Sequence, residues 1–189
     1  VVITIISGSP SKNSVSIRIG WYLMHYIKTL ASEVEVNILD CRKYEVPLDD
    51  ATYKNDGSAP KHLQPLVELF FRTDGFILLS PEYNGSYTPS LKNLLNHFPK
   101  LDHKACGIVT ASDGALGGMR AAQQLQQLIA AHFGIISPYM LIVPHVGGKF
   151  NEEAELTDET FSRHIIRFVD EYLWLFKALF DSRKKAFKN

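Results

Sequence analysis

Three segments of the sequence hold the residue types that could do chemistry. The first is Ser7-Gly8-Ser9-Pro10-Ser11-Lys12-Asn13-Ser14-Val15-Ser16, dense in hydroxyls and running into a helical pattern. Free backbone N–H groups, hydroxyl donors and the positive end of a helix together make an anion site, and a phosphate monoester suits it. One serine is enough for an ordinary helix cap, so the surplus hydroxyls point to a ligand. G-x-x-x-x-G-K-[ST] and G-x-G-x-x-G are both absent, which excludes a P-loop and a dinucleotide turn. The second segment, Pro81-Glu82-Tyr83-Asn84-Gly85-Ser86-Tyr87-Thr88-Pro89, offers tyrosines that can cover a planar ring; its plainer reading is a Pro/Gly turn with surface aromatics. The third, Ser112-Asp113-Gly114-Ala115-Leu116-Gly117-Gly118, has the glycines that let a backbone approach a ligand closely. Its plainer reading is a flexible strand-to-helix turn.

The elements around these segments decide whether they meet. Val1 to Ser7 is a continuous β-branched run, a strand buried on both faces. A helix is predicted over Ser14 to Leu30, then a half-buried edge strand over Glu33 to Asp40 with Val34, Val36 and Ile38 inward. Residues 41 to 60 read as a long loop. Lys61 to Thr73 reads as a helix, with Pro65 tolerated near its start. Gly75 to Ser80 and Ala105 to Ala111 are buried strands, separated by a helix over Ser90 to Phe98. A helix over Gly118 to Phe133 precedes a fifth strand, Ile135 to Val143, interrupted near its start by Pro138. Thr157 is expected to cap a final helix of about residues 158–185, with Asp158 and Glu159 at one end and Arg183, Lys184 and Lys185 at the other, matching the helix dipole.

Five strand–helix units predict one α/β domain over residues 1–189: a doubly wound parallel sheet with helices on both faces and the flavodoxin-like order 2-1-3-4-5. In that order ligands bind beyond the carboxyl ends of the strands, at the switch between strands 1 and 3. The three loops follow strands 1, 3 and 4, which lie side by side. A phosphate site, an aromatic loop and a glycine loop on neighbouring strand ends describe a mononucleotide with a flat ring.

Composition narrows the partners. The chain has 20 Lys and Arg against 20 Asp and Glu, so it lacks the basic excess of nucleic-acid binders. No apolar run approaches the roughly 20 residues needed to span a bilayer, so no membrane partner is expected. The chain opens on a strand-like run rather than a secretory signal, and Cys41 and Cys106 look unpaired; a cytoplasmic location is expected. The cysteines have no metal-ligand spacing and the 7 histidines no H-x-x-x-H pair, so no metal is assigned.

The string Ser80-Pro81-Glu82-Tyr83-Asn84-Gly85-Ser86, followed by Leu91-Lys92-Asn93, resembles the NADPH-dependent FMN reductases of flavodoxin-like fold. Ser112 to Arg120 resembles that family's second loop, with Gly117-Gly118-x-Arg120. Gly8, Ser9 and Ser14 match its phosphate loop G-S-x-R-x-x-S, but Ser11 stands where the family has arginine. The resemblance covers roughly residues 1–145. It implies an FMN phosphate held by Ser9, Ser11, Ser14, Val15 and Ser16 through hydroxyls and backbone amides. The isoalloxazine would lie against Pro81, Glu82, Tyr83, Asn84 and Gly85, its other edge near Ser112, Gly114 and Gly117. It further implies hydride transfer from NADPH or NADH through FMN to a small acceptor (flavin, quinone, azo compound or similar), and a homodimer or homotetramer.

In such a scheme the flavin carries the chemistry, so no catalytic side chain is assigned, and Glu82 reads as a solvated loop carboxylate. Two alternatives stay open: a flavin-binding electron carrier, which a net charge of zero does not favour, and a member with weak or lost flavin serving as a binding protein, which the missing arginine keeps alive. A phosphoryl-receiving domain would need an acidic cluster after strand 1, where this chain has serines. A tyrosine-phosphatase loop is excluded because neither cysteine has an arginine six positions on.

Overall fold

The computed structural model describes residues 1–49 and 51–186. Strands β1 (Val2–Ser7), β2 (Glu35–Asp40), β3 (Gly75–Pro81), β4 (Ala105–Ser112), β5 (Ile135–Ile136) and β6 (Leu141–Pro144) alternate with helices α1 (Ser16–Leu30), α2 (Gln64–Arg72), α3 (Pro89–Asn96), α4 (Met119–Ala131) and α5 (Ser162–Ala186). The sheet runs β2-β1-β3-β4-β5, with β6 also on β4, and every pair is parallel. This is the flavodoxin-like order expected from the pattern.

Because side chains alternate across a strand, each central strand feeds two cores. Ile3 and Ile5 of β1 pack with Ile19 and Leu23 of α1 and Phe168 and Tyr172 of α5. Ile6, with Phe76 and Leu78 of β3, packs with Leu66 and Phe70 of α2, Leu94 of α3 and Leu125 of α4. The apolar faces of α2 and α3 are the expected ones: Leu63, Leu66, Val67, Phe70, Leu91, Leu94, Leu95 and Phe98 are all buried.

Two local readings need correction. The fifth strand is not one run. Ile135 and Ile136 pair with Ala105 and Cys106, and the chain then bulges at Ser137–Met140 before Leu141–Pro144 rejoins β4 at Val109–Ser112. Pro138 has no N–H to donate to a ladder, which breaks the pairing there. Thr157 does not cap the last helix either. Its hydroxyl donates to the Gly148 carbonyl at 3.0 Å, while Asp158 accepts from the Thr160 N–H at 3.1 Å and caps a short 3₁₀ turn, Glu159–Phe161, ahead of α5.

The long loop after β2 is anchored by α3. Asn93 donates to the carbonyls of Val46 and Pro47, each at 3.1 Å. The buried ring of His97 puts Nδ1 2.6 Å from the Ala51 carbonyl and Nε2 2.8 Å from that of Pro47, and stacks on Tyr53. His97→Leu removes both hydrogen bonds to the loop at once; each contributes about 0.5–1.5 kcal/mol net, so a fall in melting temperature is the expected result.

Both cysteines are buried and free. Burial pushes each thiol up to about 12, with the neighbouring Asp40 charge adding to the effect at Cys41. A thiol titrating there is roughly one part in ten thousand thiolate at pH 8. A thiol reagent at that pH should therefore leave the native protein unmodified and label both positions after unfolding; fast native labelling would contradict this placement.

Candidate functional site

The carboxyl ends of β1, β3 and β4 open into a cleft of about 340 Å³, within the usual range of small-molecule sites. From the serine loop, Ser9, Ser11, Asn13, Ser14, Val15 and Ser16 line it. Pro81, Glu82 and Tyr83 line it from the end of β3, Ala111, Ser112 and Asp113 from the end of β4, and Val146 from the turn after β6.

The serine loop is held from below by the motif that follows β3. The Gly8 N–H donates to the Leu79 carbonyl at 2.8 Å, and the Gly8 carbonyl accepts from the hydroxyls of Thr88 at 2.5 Å and Ser90 at 2.6 Å. Ser80 in turn accepts from the Thr88 N–H at 3.0 Å. A Cβ on Gly8 would lie 2.8 Å from the Leu91 Cβ, so only glycine lets the loop dock this closely on α3. The two sequence motifs are therefore one mechanical unit.

The N-cap of α1 is Val15, which supplies no capping side chain. Ser14 reaches only Ile17, whose N–H lies 3.4 Å from its Oγ, and its hydroxyl sits 3.1 Å from that of Ser16. Among the described residues the N–H groups of Val15 and Ser16 have no hydrogen-bond partner. A helix N-terminus with unspent N–H groups and a ring of hydroxyls fits a phosphate monoester.

After β3, Tyr83 and Ser86 exchange backbone hydrogen bonds at 2.8 and 3.0 Å. Asn84 (φ 50°) and Gly85 (φ 80°) form the tip between them, and two positive φ values mark a type I′ turn. Asn84 and Gly85 thus shape the turn and do not line the cleft; Gln124 of α4 holds it through the Gly85 carbonyl at 3.0 Å. Tyr83 is exposed at the mouth.

Glu82 departs from expectation. Its side chain is only 14% exposed and lies 3.5 Å from the Arg120 guanidinium. Its Oε2 accepts from the Ala121 N–H at 3.4 Å, so it is a carboxylate at the N-terminus of α4 rather than a solvated one.

In the third loop Ser112 lines the cleft and accepts from the Gly114 N–H at 3.1 Å. Gly114 is exposed beyond it. Gly117 is turned the other way: it is buried, its φ is +59°, and a Cβ there would lie 2.7 Å from the Pro144 nitrogen. It is a packing glycine against β6, and neither it nor Gly114 lines the cleft.

Sequence reading missed Asn13, Ala111, Asp113 and Val146. Asp113 is fixed by the turn after β6, where the His145 Nδ1–H donates to its carbonyl at 2.9 Å. The Gly147-Gly148 pair at the end of the fifth strand was the available signal for that turn.

Comparison with known proteins agrees with this geometry. The model of the NADPH-dependent FMN reductase family matches residues 1–147. The chain belongs to that family. The quinone reductase of Escherichia coli K12 is 32% identical over 107 residues, 54% of this chain; the alignment spans 56% of that protein, about half its length. The FMN-dependent NADPH-azoreductase of Staphylococcus aureus USA300 is 28% identical over 178 residues, covering 88% of this chain and 90% of that one. Among solved structures, the flavoenzyme NAD(P)H:(acceptor) oxidoreductase FerB of Paracoccus denitrificans superposes with a TM-score of 0.74 over 94% of this chain and 97% of its own, at 19% identity, a likeness of fold. FMN and NADPH are the cofactors that the family's name carries. Among the described residues there is no cluster of ligands for a metal ion and no helix long and apolar enough to cross a membrane.

Proposed function

We propose that the protein holds FMN in this cleft and is an NAD(P)H-dependent reductase of small acceptors such as quinones, azo compounds or free flavin. The observation that carries the reading is the convergence of three loops on one cleft at the β1–β3 switch. One loop carries unspent helix N–H groups and hydroxyls, one an exposed tyrosine, and one a serine and an aspartate on a glycine-rich turn. Ser9, Ser11, Ser14, Val15 and Ser16 would hold the phosphate, with Pro81, Glu82, Tyr83 and Ser112 around the ring. When bound, FMN supplies hydride acceptance from a nicotinamide and electron delivery to an acceptor. The chain's own residues bind it, orient it and leave one side open at Tyr83.

Titration of apoprotein with FMN and riboflavin tests the phosphate assignment. FMN should bind at least about tenfold more tightly, since a hydrogen bond to a charged group contributes about 1.5–3 kcal/mol. Equal affinities would remove the argument for a phosphate subsite. Steady NAD(P)H oxidation with an added quinone or azo dye then separates a reductase from an electron carrier.

The proposal extends to assembly and place. A homodimer or homotetramer is supported by apolar side chains outside the cores: Trp174 of α5 is 70% exposed, and Ile166 and Met119 are exposed as well. A monomer by light scattering at micromolar concentration would contradict it. The two free buried thiols fit the reducing cytoplasm.

A further inference from the structure

Arg42 stands just past the end of β2, and its side chain turns back toward the serine loop. Nε lies 2.9 Å from Asp40 Oδ1 and Nη2 2.6 Å from Oδ2, a fork on a carboxylate that is only 6% exposed. Asp40 is level with Ser7 in the β1–β2 ladder, so this pair sits where the serine loop leaves the sheet. The remaining arm, Nη1, donates to the Lys12 carbonyl at 3.2 Å. Lys12 and Asn13 are the central residues of a turn closed by the Ser14 N–H on the Ser11 carbonyl at 3.2 Å. In a planar trans peptide the C=O and the next N–H point in opposite directions. Holding the Lys12 carbonyl therefore directs the Asn13 N–H away from Arg42, and Asn13 lines the cleft.

We propose that Arg42 is a positioning residue for the phosphate subsite, fixing the Lys12–Asn13 peptide so that the Asn13 N–H and the flanking Ser11 and Ser14 hydroxyls face a phosphate monoester. The inference rests on the FMN reading above and adds to it a residue outside the family's phosphate motif. Asp40 offsets the guanidinium charge, so the contribution is geometric. The geometry demands arginine: one planar group must span two carboxylate oxygens and a carbonyl, and a lysine ammonium keeps the charge without the span. This contact orders the loop in a chain that has Ser11 in place of the family arginine.

Apoprotein of wild type, Arg42→Lys and Arg42→Ala would be titrated with FMN and with riboflavin, and melted without ligand alongside. Both variants are expected to lose about tenfold in FMN affinity while riboflavin affinity stays unchanged, so that the FMN-to-riboflavin ratio falls in each. If Arg42→Ala does not fold, Arg42→Lys alone decides. The proposal is overturned if Arg42→Lys keeps the wild-type ratio, which assigns the effect to charge, or if both ligands weaken in step, which assigns it to general loosening. Wild type that binds the two ligands equally overturns the phosphate reading itself and this proposal with it, a result distinct from a variant that fails to change the ratio.

Discussion

Ser14→Asp should abolish tight FMN binding and leave the apoprotein at least as stable as wild type. Ser14 sits at the start of α1, with its Oγ 3.4 Å from the Ile17 N–H. Aspartate is as good a capping residue as serine, and its charge favours a helix N-terminus. The same carboxylate would face the phosphate across the cleft. Two like charges about 4 Å apart at an effective dielectric of 20 repel by about 4 kcal/mol, and screening still leaves more than a hundredfold in affinity. Riboflavin, without the phosphate, should bind almost as before. The opposed directions make the result specific: FMN affinity falls while the melting temperature holds or rises. Unchanged FMN affinity would mean that the phosphate does not sit at this helix end.

Gly117→Ala should be among the most destabilising single changes in the chain. The position has φ +59°, and the new Cβ would lie 2.7 Å from the Pro144 nitrogen and 2.9 Å from the Val143 carbonyl carbon, both backbone atoms. A left-handed conformation costs a non-glycine residue about 1–2 kcal/mol, and overpacking a tight contact about 1–3 more. Together these take a large part of a typical stability of about 5–15 kcal/mol. Thermal melting of the apoprotein would show it as a fall of many degrees. On protein still folded at low temperature the FMN-to-riboflavin ratio should be that of wild type, because Gly117 faces β6. Wild-type stability in Gly117→Ala would contradict the packing.

This second case shows where sequence reading stops. Gly117 looked like a ligand glycine because glycine-rich turns serve both close packing and close binding, and composition does not separate them. The sheet order and the three loops were legible because they rest on local signals: β-branched runs, helical stripes and turn residues at strand ends. The Asn84-Gly85 pair was legible as a turn, but that the cleft lining from this loop ends at Tyr83 shows only in the fold. Glu82 could not be read, since its partners Arg120 and Ala121 are brought to it only by the β3–β4 pairing. The same holds for Arg42 and Lys12, which meet because β2 lies beside β1. Val146 enters the cleft because β6 rejoins β4 after the Pro138 bulge. Long-range contacts of this kind carry no local sequence signature.

The most direct test of the central claim is the visible spectrum of the protein reconstituted with FMN, recorded anaerobically before and after NADPH and again after a quinone. The expected result is a bound-flavin spectrum that NADPH bleaches and the quinone restores, with both changes dependent on FMN. An FMN-saturated protein that neither NADPH nor NADH reduces would contradict it.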